Sequence, residues 1–440
     1  MGFKYKGLHR LSVFGDTLFF PFLPGGCAEL FCFPQQRTII CVEKWMKRIA
    51  LSTLSLALLG VAGVAHAQSS VTLYGVLDES IQYVNNATPH GGSLVQLFGG
   101  NIQGNRFGLK GTEDLGGGLK AIFQLENGFD INTGKLQQGG SMFGRQAYVG
   151  LTGDVWGTFT AGRQYDPLVD MVQPLTGDNY FGSTFATPGD VDNNDNSFRV
   201  INSLKYVSPV WSGFQIEGLY ALGGVAGATG SGQTWSGAAT YATGPFSVAA
   251  GYLHASNANS VAARTAAGGW AGTAAPGATF DSNFPTFAGI NSAYAASKSI
   301  GIASAAVQYV TGPWTGNLSY SNAQYRPDAN SGFATTQKFN VGRAYLGYQL
   351  TPAALIGLGY AYTHGSGDAS ATYNQVSLGG DYNLSKRTDV YTVAAWQHAS
   401  GNQRTPGGGL VSATASIGSY GNQSSTNNQV MVSLGIRHKF

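Results

Sequence analysis

Beyond residue 67 the chain contains no cysteine, because Cys27, Cys32 and Cys41 all precede Ala67. Disulfides and thiolate metal sites are excluded there, so stability must rest on hydrogen bonding and packing. Charge is also sparse, at 11% of residues. Seven of the 25 Lys and Arg and three of the 22 Asp and Glu precede residue 68, leaving 18 and 19 after it, a formal balance of −1. The first 67 residues carry +4, so the +3 of the whole chain is no argument for nucleic-acid binding by the rest. Nor does any apolar run after Val64 approach the roughly 20 residues of a transmembrane helix, which excludes a helical membrane protein. His90, His254, His364, His398 and His438 lie in no recognisable catalytic motif. A hydrolase would need a nucleophile, a base and an orienting group brought together, so no enzyme is expected.

What is present begins with an export signal. Met46, Lys47 and Arg48 are basic, Ile49 to Val64 is apolar, and Ala65-His66-Ala67 supplies a small-x-small cleavage site. Residues 46–67 are read as a secretory signal peptide cut between Ala67 and Gln68, since the apolar run is short for a bilayer span. Residues 1–45 lack periodicity and have no place in such a signal, so translation is expected to begin at Met46. The remaining domain is 68–440.

That domain is rich in Gly, Tyr, Phe, Ser, Thr, Asn and Gln, which suits strands with lipid on one face and water on the other. Val430, Val432, Leu434, Ile436 and Phe440 alternate with Gln429, Ser433, Gly435, Arg437 and Lys439. Val376, Leu378, Tyr382 and Leu384 alternate likewise with Gln375, Ser377 and Asp381, and Phe214, Ile216 and Tyr220 with Gln215 and Glu217. Period two means strand, although a soluble sandwich alternates as well.

Turn signals supply the count. Short breaks fall at Asp114 to Gly118, Gly153-Asp154, Ser208 to Gly213, Gly244-Pro245, Gly312-Pro313, Thr351-Pro352 and Ser385-Lys386. Between them lie longer polar stretches, notably Tyr165 to Ser197, Ala255 to Lys298 and Ser400 to Asn428. Tight turns alternating with long loops are the habit of an outer-membrane barrel. Seven turns plus a strand at each end predict sixteen strands, beginning near Val71, Gly104, Leu119, Met142, Trp156, Phe198, Gly213, Gln233, Phe246, Ser299, Trp314, Gln337, Leu355, Ala371, Asp389 and Gln429. The fold class is thus all-β, a closed antiparallel transmembrane barrel, and about 16 to 18 strands leave an aqueous channel. The echo of Thr243-Gly244-Pro245-Phe246 in Thr311-Gly312-Pro313-Trp314 places an aromatic after each turn, as an interfacial girdle requires.

Several stretches carry a family resemblance: Ser70 to Gly75, Arg106 to Gly111, Gly144 to Leu151, Gly162 to Tyr165, Asn202 to Tyr206 with Ser208-Pro209, and the terminal Arg437 to Phe440. In their order they resemble the general porins of Gram-negative bacteria, especially the trimeric porins of β-proteobacteria. The resemblance implies an outer-membrane homotrimer surrounded by lipid and lipopolysaccharide, passing small ions and hydrophilic solutes by passive diffusion, with no cofactor. It also implies a third loop, 165–197, folded inward as a constriction. The loop's acidic residues, Asp166, Asp170, Asp178, Asp190, Asp192 and Asp195, would face wall arginines Arg106, Arg145 and Arg199, with Arg163 a further candidate. Phe440 would be the signal read by the barrel-insertion machinery. A modest anion preference is expected. A substrate-selective channel or an adhesin barrel shares these features, and only conductance separates the latter. Asp190 to Asp195 superficially resembles a calcium loop but lacks the glycine at its sixth position and the distal Glu, so no metal is expected. The long 255–298 segment is either an idle outer loop or a second partial cover.

Overall fold

The computed structural model describes residues 69–440 apart from 89, 258–279, 283–289 and 421–422. Residues 1–45, the stretch 46–67 read above as a signal peptide, and the Ala67–Gln68 junction lie outside the described residues.

Sixteen long strands form one antiparallel sheet closed on itself. All but two begin within one residue of the expected positions; the exceptions start at Arg106 and Gln146. The second delay has a local cause: a short 3-10 turn at Gln138–Gly140 intervenes, and Asn127 holds the Met142 carbonyl, keeping residues 141–145 out of the ladder. Closure is made by the first strand, Ser70–Val84. Its outer part pairs with the last strand, Asn428–Lys439, and its inner part with Arg106–Gly116. Gly75 and Phe440 exchange two backbone hydrogen bonds of 3.1 Å, so the terminal residue completes the seam. A sheet without free edges satisfies its backbone internally, the condition for crossing hydrocarbon with strands. No helix among the described residues is long and apolar enough to cross a membrane.

The alternation sorts the faces as the sequence implies. In the last strand Val432, Leu434 and Ile436 point outward and are exposed, whereas Gln429, Ser433 and Arg437 are buried within. Near the tight turns Trp314 packs on Tyr348 with ring centroids 4.4 Å apart. Toward the other rim the hydroxyls of Tyr320 and Tyr360 donate to Asn340 and Asn374 at 2.8 and 2.7 Å. These are the two girdles of a membrane barrel. The two-residue hairpins at Gly244 and Gly312 have φ of 53° and 54°, a conformation glycine adopts without strain.

Three short strands were not legible from alternation: Leu94–Gly99, Phe280–Ser282 and Leu410–Ser412. They pair antiparallel beside the strands ending at Val84, beginning at Phe198 and ending at Arg404. Each is too short, or too poorly alternating, to show a period.

Candidate functional site

Residues 165–197 fold into the barrel as a chain of short helical turns. Their apolar side chains explain the direction. Leu168, Val172, Leu175 and Val191 pack on inward residues such as Leu219, Leu253 and Ile302. Phe181 and Phe185 pack with Tyr345, Tyr391 and Val393. Burying each such side chain is worth about 1.5–3 kcal/mol, enough to hold a loop that lacks regular structure.

Two further segments pin it from the outer side. The Gly189 carbonyl accepts a hydrogen bond from Asn291 Nδ2 at 2.9 Å, and the Gly189 N–H donates to the Gly418 carbonyl at 3.1 Å. Gly189 has φ 63°, and a Cβ there would sit 2.8 Å from Asn291 Oδ1, so a side chain at this junction would be strained and would displace Asn291. Ile290, Asn291 and Tyr294 are buried, so the end of the long 255–298 segment packs into this junction. The rest of that segment lies largely outside the described residues.

The loop leaves open a cavity of about 990 Å³ on its other side. Arg106, Arg145 and Arg199 line it, as do Tyr74, Glu126 and Tyr165. Their mutual arrangement is specific. Arg145 Nε donates to Glu126 Oε1 at 2.7 Å, and its NH2 donates to the Tyr165 hydroxyl at 2.8 Å. That hydroxyl donates to Glu126 at 3.0 Å, and Tyr74 donates to the other carboxylate oxygen at 2.8 Å. The Tyr165 ring lies 5.8 Å from the Arg145 guanidinium and 5.3 Å from that of Arg199, within cation–π range. One carboxylate thus pairs with one of the three guanidinium groups lining the cavity, so the wall keeps an excess of positive charge. Arg163 stands apart. It is not among the residues lining that cavity; the ladder slips between Gly162 and Gln164, and the Arg163 Nε donates to the Gly144 carbonyl at 2.6 Å.

The six loop aspartates divide into two groups. Asp170, Asp178 and Asp195 line the cavity. Asp166, Asp190 and Asp192 do not; they shape the loop instead. Asp166 accepts from the Leu168 N–H at 2.9 Å and from Asn193 Nδ2 at 2.8 Å. Asp190 accepts from the N–H groups of Asp195 and Ser197 at 2.9 and 3.0 Å. Asp192 ties the loop to the far wall through Arg343 NH2 at 2.5 Å, with Ser321 and Thr187 as further donors. Asp170 is paired with Lys205 at 2.5 Å, and Lys205 also reaches Glu217 at 3.2 Å.

Burial sets the protonation of these loop groups. It pushes Asp166 up to about 6, and burial together with the carboxylates of Asp195 and Asp192 pushes Asp190 up to about 7. Asp178 is raised well above the ordinary range by burial and by Asp195, and Asp195 is raised by burial. Burial acts the same way on Asp192, but Arg343 more than offsets it and holds that carboxyl below the usual range. Two like charges brought together favour one shared proton over two ionised groups. The acidic face therefore carries less negative charge than its residue count suggests.

Reading the sequence alone missed Glu126, Tyr74, Lys205, Arg343, Tyr420 and Lys439. Lys439 and Arg106 both stand opposite Val76, one on each neighbouring strand, so they share a row of the wall. Alternation in the last strand already placed Lys439 inward. Tyr420 comes from the final outer loop, where it bonds to Thr184 at 2.6 Å and to Asn101. No local pattern marks it.

Comparison with known proteins bears on the family and the barrel fold. A model of the Gram-negative porin family matches residues 52–402. An outer membrane porin protein of Bordetella pertussis is 39% identical over 184 residues, 39% of this chain, and the match spans about half of that protein (46%). The major outer membrane protein P.IB of Neisseria gonorrhoeae is 27% identical over 364 residues, covering 79% of this chain and 92% of that protein. The solved structure of an anion-selective porin from Comamonas acidovorans superposes with a TM-score of 0.62 at 23% identity, over 84% of this chain and all of the other.

Proposed function

This chain belongs to the Gram-negative porin family of outer-membrane proteins, and from that premise we propose that its barrel is a water-filled passage for passive diffusion of small hydrophilic solutes and ions, with a modest preference for anions. The observation carrying this reading is a polar, charged cavity enclosed by a sheet whose outer face is apolar. Arg106, Arg145 and Arg199 supply the basic wall; Asp170, Asp178 and Asp195 supply the acidic face. Opposed charges across a narrow space orient dipolar solutes and disfavour apolar ones. The anion preference rests on the excess of wall cations, and it is in keeping with the anion-selective porin of similar fold. The relatives are porins, channel proteins rather than enzymes. Purified protein in a planar bilayer should give uniform conductance steps. No conductance would defeat the reading, and block by one solute at low concentration would replace it with a selective channel.

The working assembly in this reading is a homotrimer held in lipid and lipopolysaccharide, with the mature chain starting at Gln68. Mass spectrometry of outer-membrane material should find no peptide from residues 1–45.

Phe440 serves assembly rather than conduction. Its backbone closes the seam with Gly75, and its ring occupies the space beside that glycine. As the terminal aromatic it is also the residue for the insertion machinery to read. Deleting it should lower the amount of protein in the outer membrane while single channels keep wild-type conductance; normal amounts with altered conductance would contradict this role.

Acidification should strengthen the anion preference. Asp190 has a folded pKa near 7 against an ordinary 3.8, so between those values the folded loop holds a proton that an unfolded chain would not. Loop docking is accordingly most stable at the acid end and loses stability as pH rises through about 7. Asp178 and Asp195 shift in the same direction. Reversal potentials in a salt gradient, taken from about pH 8 down to about pH 5, should move toward chloride. A shift toward cations, or none, would refute the assignment.

A further inference from the structure

Four glycines stand on the inner wall where the strands Gln337–Thr351, Ala354–Ser366 and Ala371–Asn383 run side by side. Gly347 pairs with Gly357 and Gly357 with Gly379, forming one row across three strands. Gly359 lies in the next inward row, opposite Tyr345. None has a positive φ, so the backbone there accepts any residue. Glycine inside a strand is otherwise a cost, because it loses chain entropy and packs nothing.

Space supplies the reason. A Cβ at Gly379 would come within 2.5 Å of the Phe181 ring, and one at Gly359 would fall 2.5 and 2.6 Å from Phe185 Cδ1 and Cε1. At Gly357 it would overlap Phe181 and lie 2.8 Å from Tyr345 Cε2. Phe181 is fully buried, and the Phe181 and Phe185 rings stack with centroids 5.2 Å apart. By contrast, a Cβ at the outward-facing Gly342 meets nothing within 4 Å.

We propose that Gly357, Gly359 and Gly379 form a side-chain-free socket that seats Phe181 and Phe185, holds the inward loop flat against one wall, and thereby sets the free cross-section of the channel. The glycines are positioning residues, since they act on permeation only through the loop. This rests on the channel reading above. Filling the socket drives the loop away from its wall and toward the cavity lined by Arg106 and Arg199. The passage narrows as a result.

The test is single-channel recording of the mature protein in planar bilayers. Gly379→Val must displace the Phe181 ring and should reduce conductance by roughly a third or more. Adding Phe181→Ala, which vacates the seat, should return the double variant to near the wild-type step. Gly342→Val, an equal change on the outer face, should leave the step unaltered. If Gly379→Val fails to assemble, Gly379→Ala paired with Phe181→Leu asks the same question with a smaller volume. The socket is overturned if the filled variant conducts like wild type, or if removing the Phe181 ring does not relieve the loss. Absence of conductance in the wild type would instead count against the channel reading itself.

Discussion

Replacing Asp192 by alanine should turn a quiet channel current into a flickering one and expose residues 165–197 to protease. Asp192 and Arg343 form the ion pair joining the loop to the far wall, and both side chains are almost completely buried, at 1% and 6% exposure. Removing one partner leaves the other charge buried and unpaired, which typically costs about 3–5 kcal/mol. A loss of that size is comparable to the burial of two loop phenylalanines at about 1.5–3 kcal/mol each, so the docked state loses much of its advantage. Replacing both, as in Asp192→Ala with Arg343→Met, should recover much of the quiet behaviour, because no charge is then stranded. Quiet, protease-resistant channels in the single variant would show that the apolar contacts hold the loop unaided.

Ion selectivity should respond in opposite directions to two changes on the basic wall. Arg106→Ala with Arg199→Ala should move the reversal potential toward cations, and Glu126→Gln should move it further toward chloride. The second expectation follows from the 2.7 Å pairing of Arg145 with Glu126, which cancels most of one wall charge. Arg106 and Arg199 remain, and Lys439, in the same row as Arg106, adds a third cation. An ion about 8 Å from each gains about 0.5 kcal/mol in watery surroundings, so the three give about 1.5 kcal/mol unscreened. At about 0.15 M salt the Debye length is near 8 Å, which reduces this to roughly 0.6 kcal/mol, a preference of a few-fold. The partly protonated loop aspartates oppose it only weakly. A cation-preferring wild type would reject the arginine assignment while leaving the barrel intact, and an unchanged potential in Glu126→Gln would reject the compensation of Arg145.

Much of the barrel was legible because its strands answer to local chemistry. Val430 to Lys439 alternate, and Gly244-Pro245 and Gly312-Pro313 break the chain where hairpins turn, so the strand count needs no long-range information. The division of the aspartates was not legible. Asp192 and Asp195 are three residues apart and of one type, yet one pairs with Arg343 while the other lines the cavity. Nothing local distinguishes them. The socket glycines looked like weak points of their strands until Phe181 and Phe185 were seen lying on them.

The sequence by itself determined the strand pattern, the pairing order and which face meets lipid, because side-chain alternation and turn chemistry act over two to five residues. It also carried the family motifs. Only the tertiary structure decided where the inward loop rests, which charges confront one another and which neutralise each other. Those outcomes depend on contacts between residues more than a hundred positions apart, such as Asp192 with Arg343 and Phe181 with Gly379, whose geometry exists only once the barrel has closed.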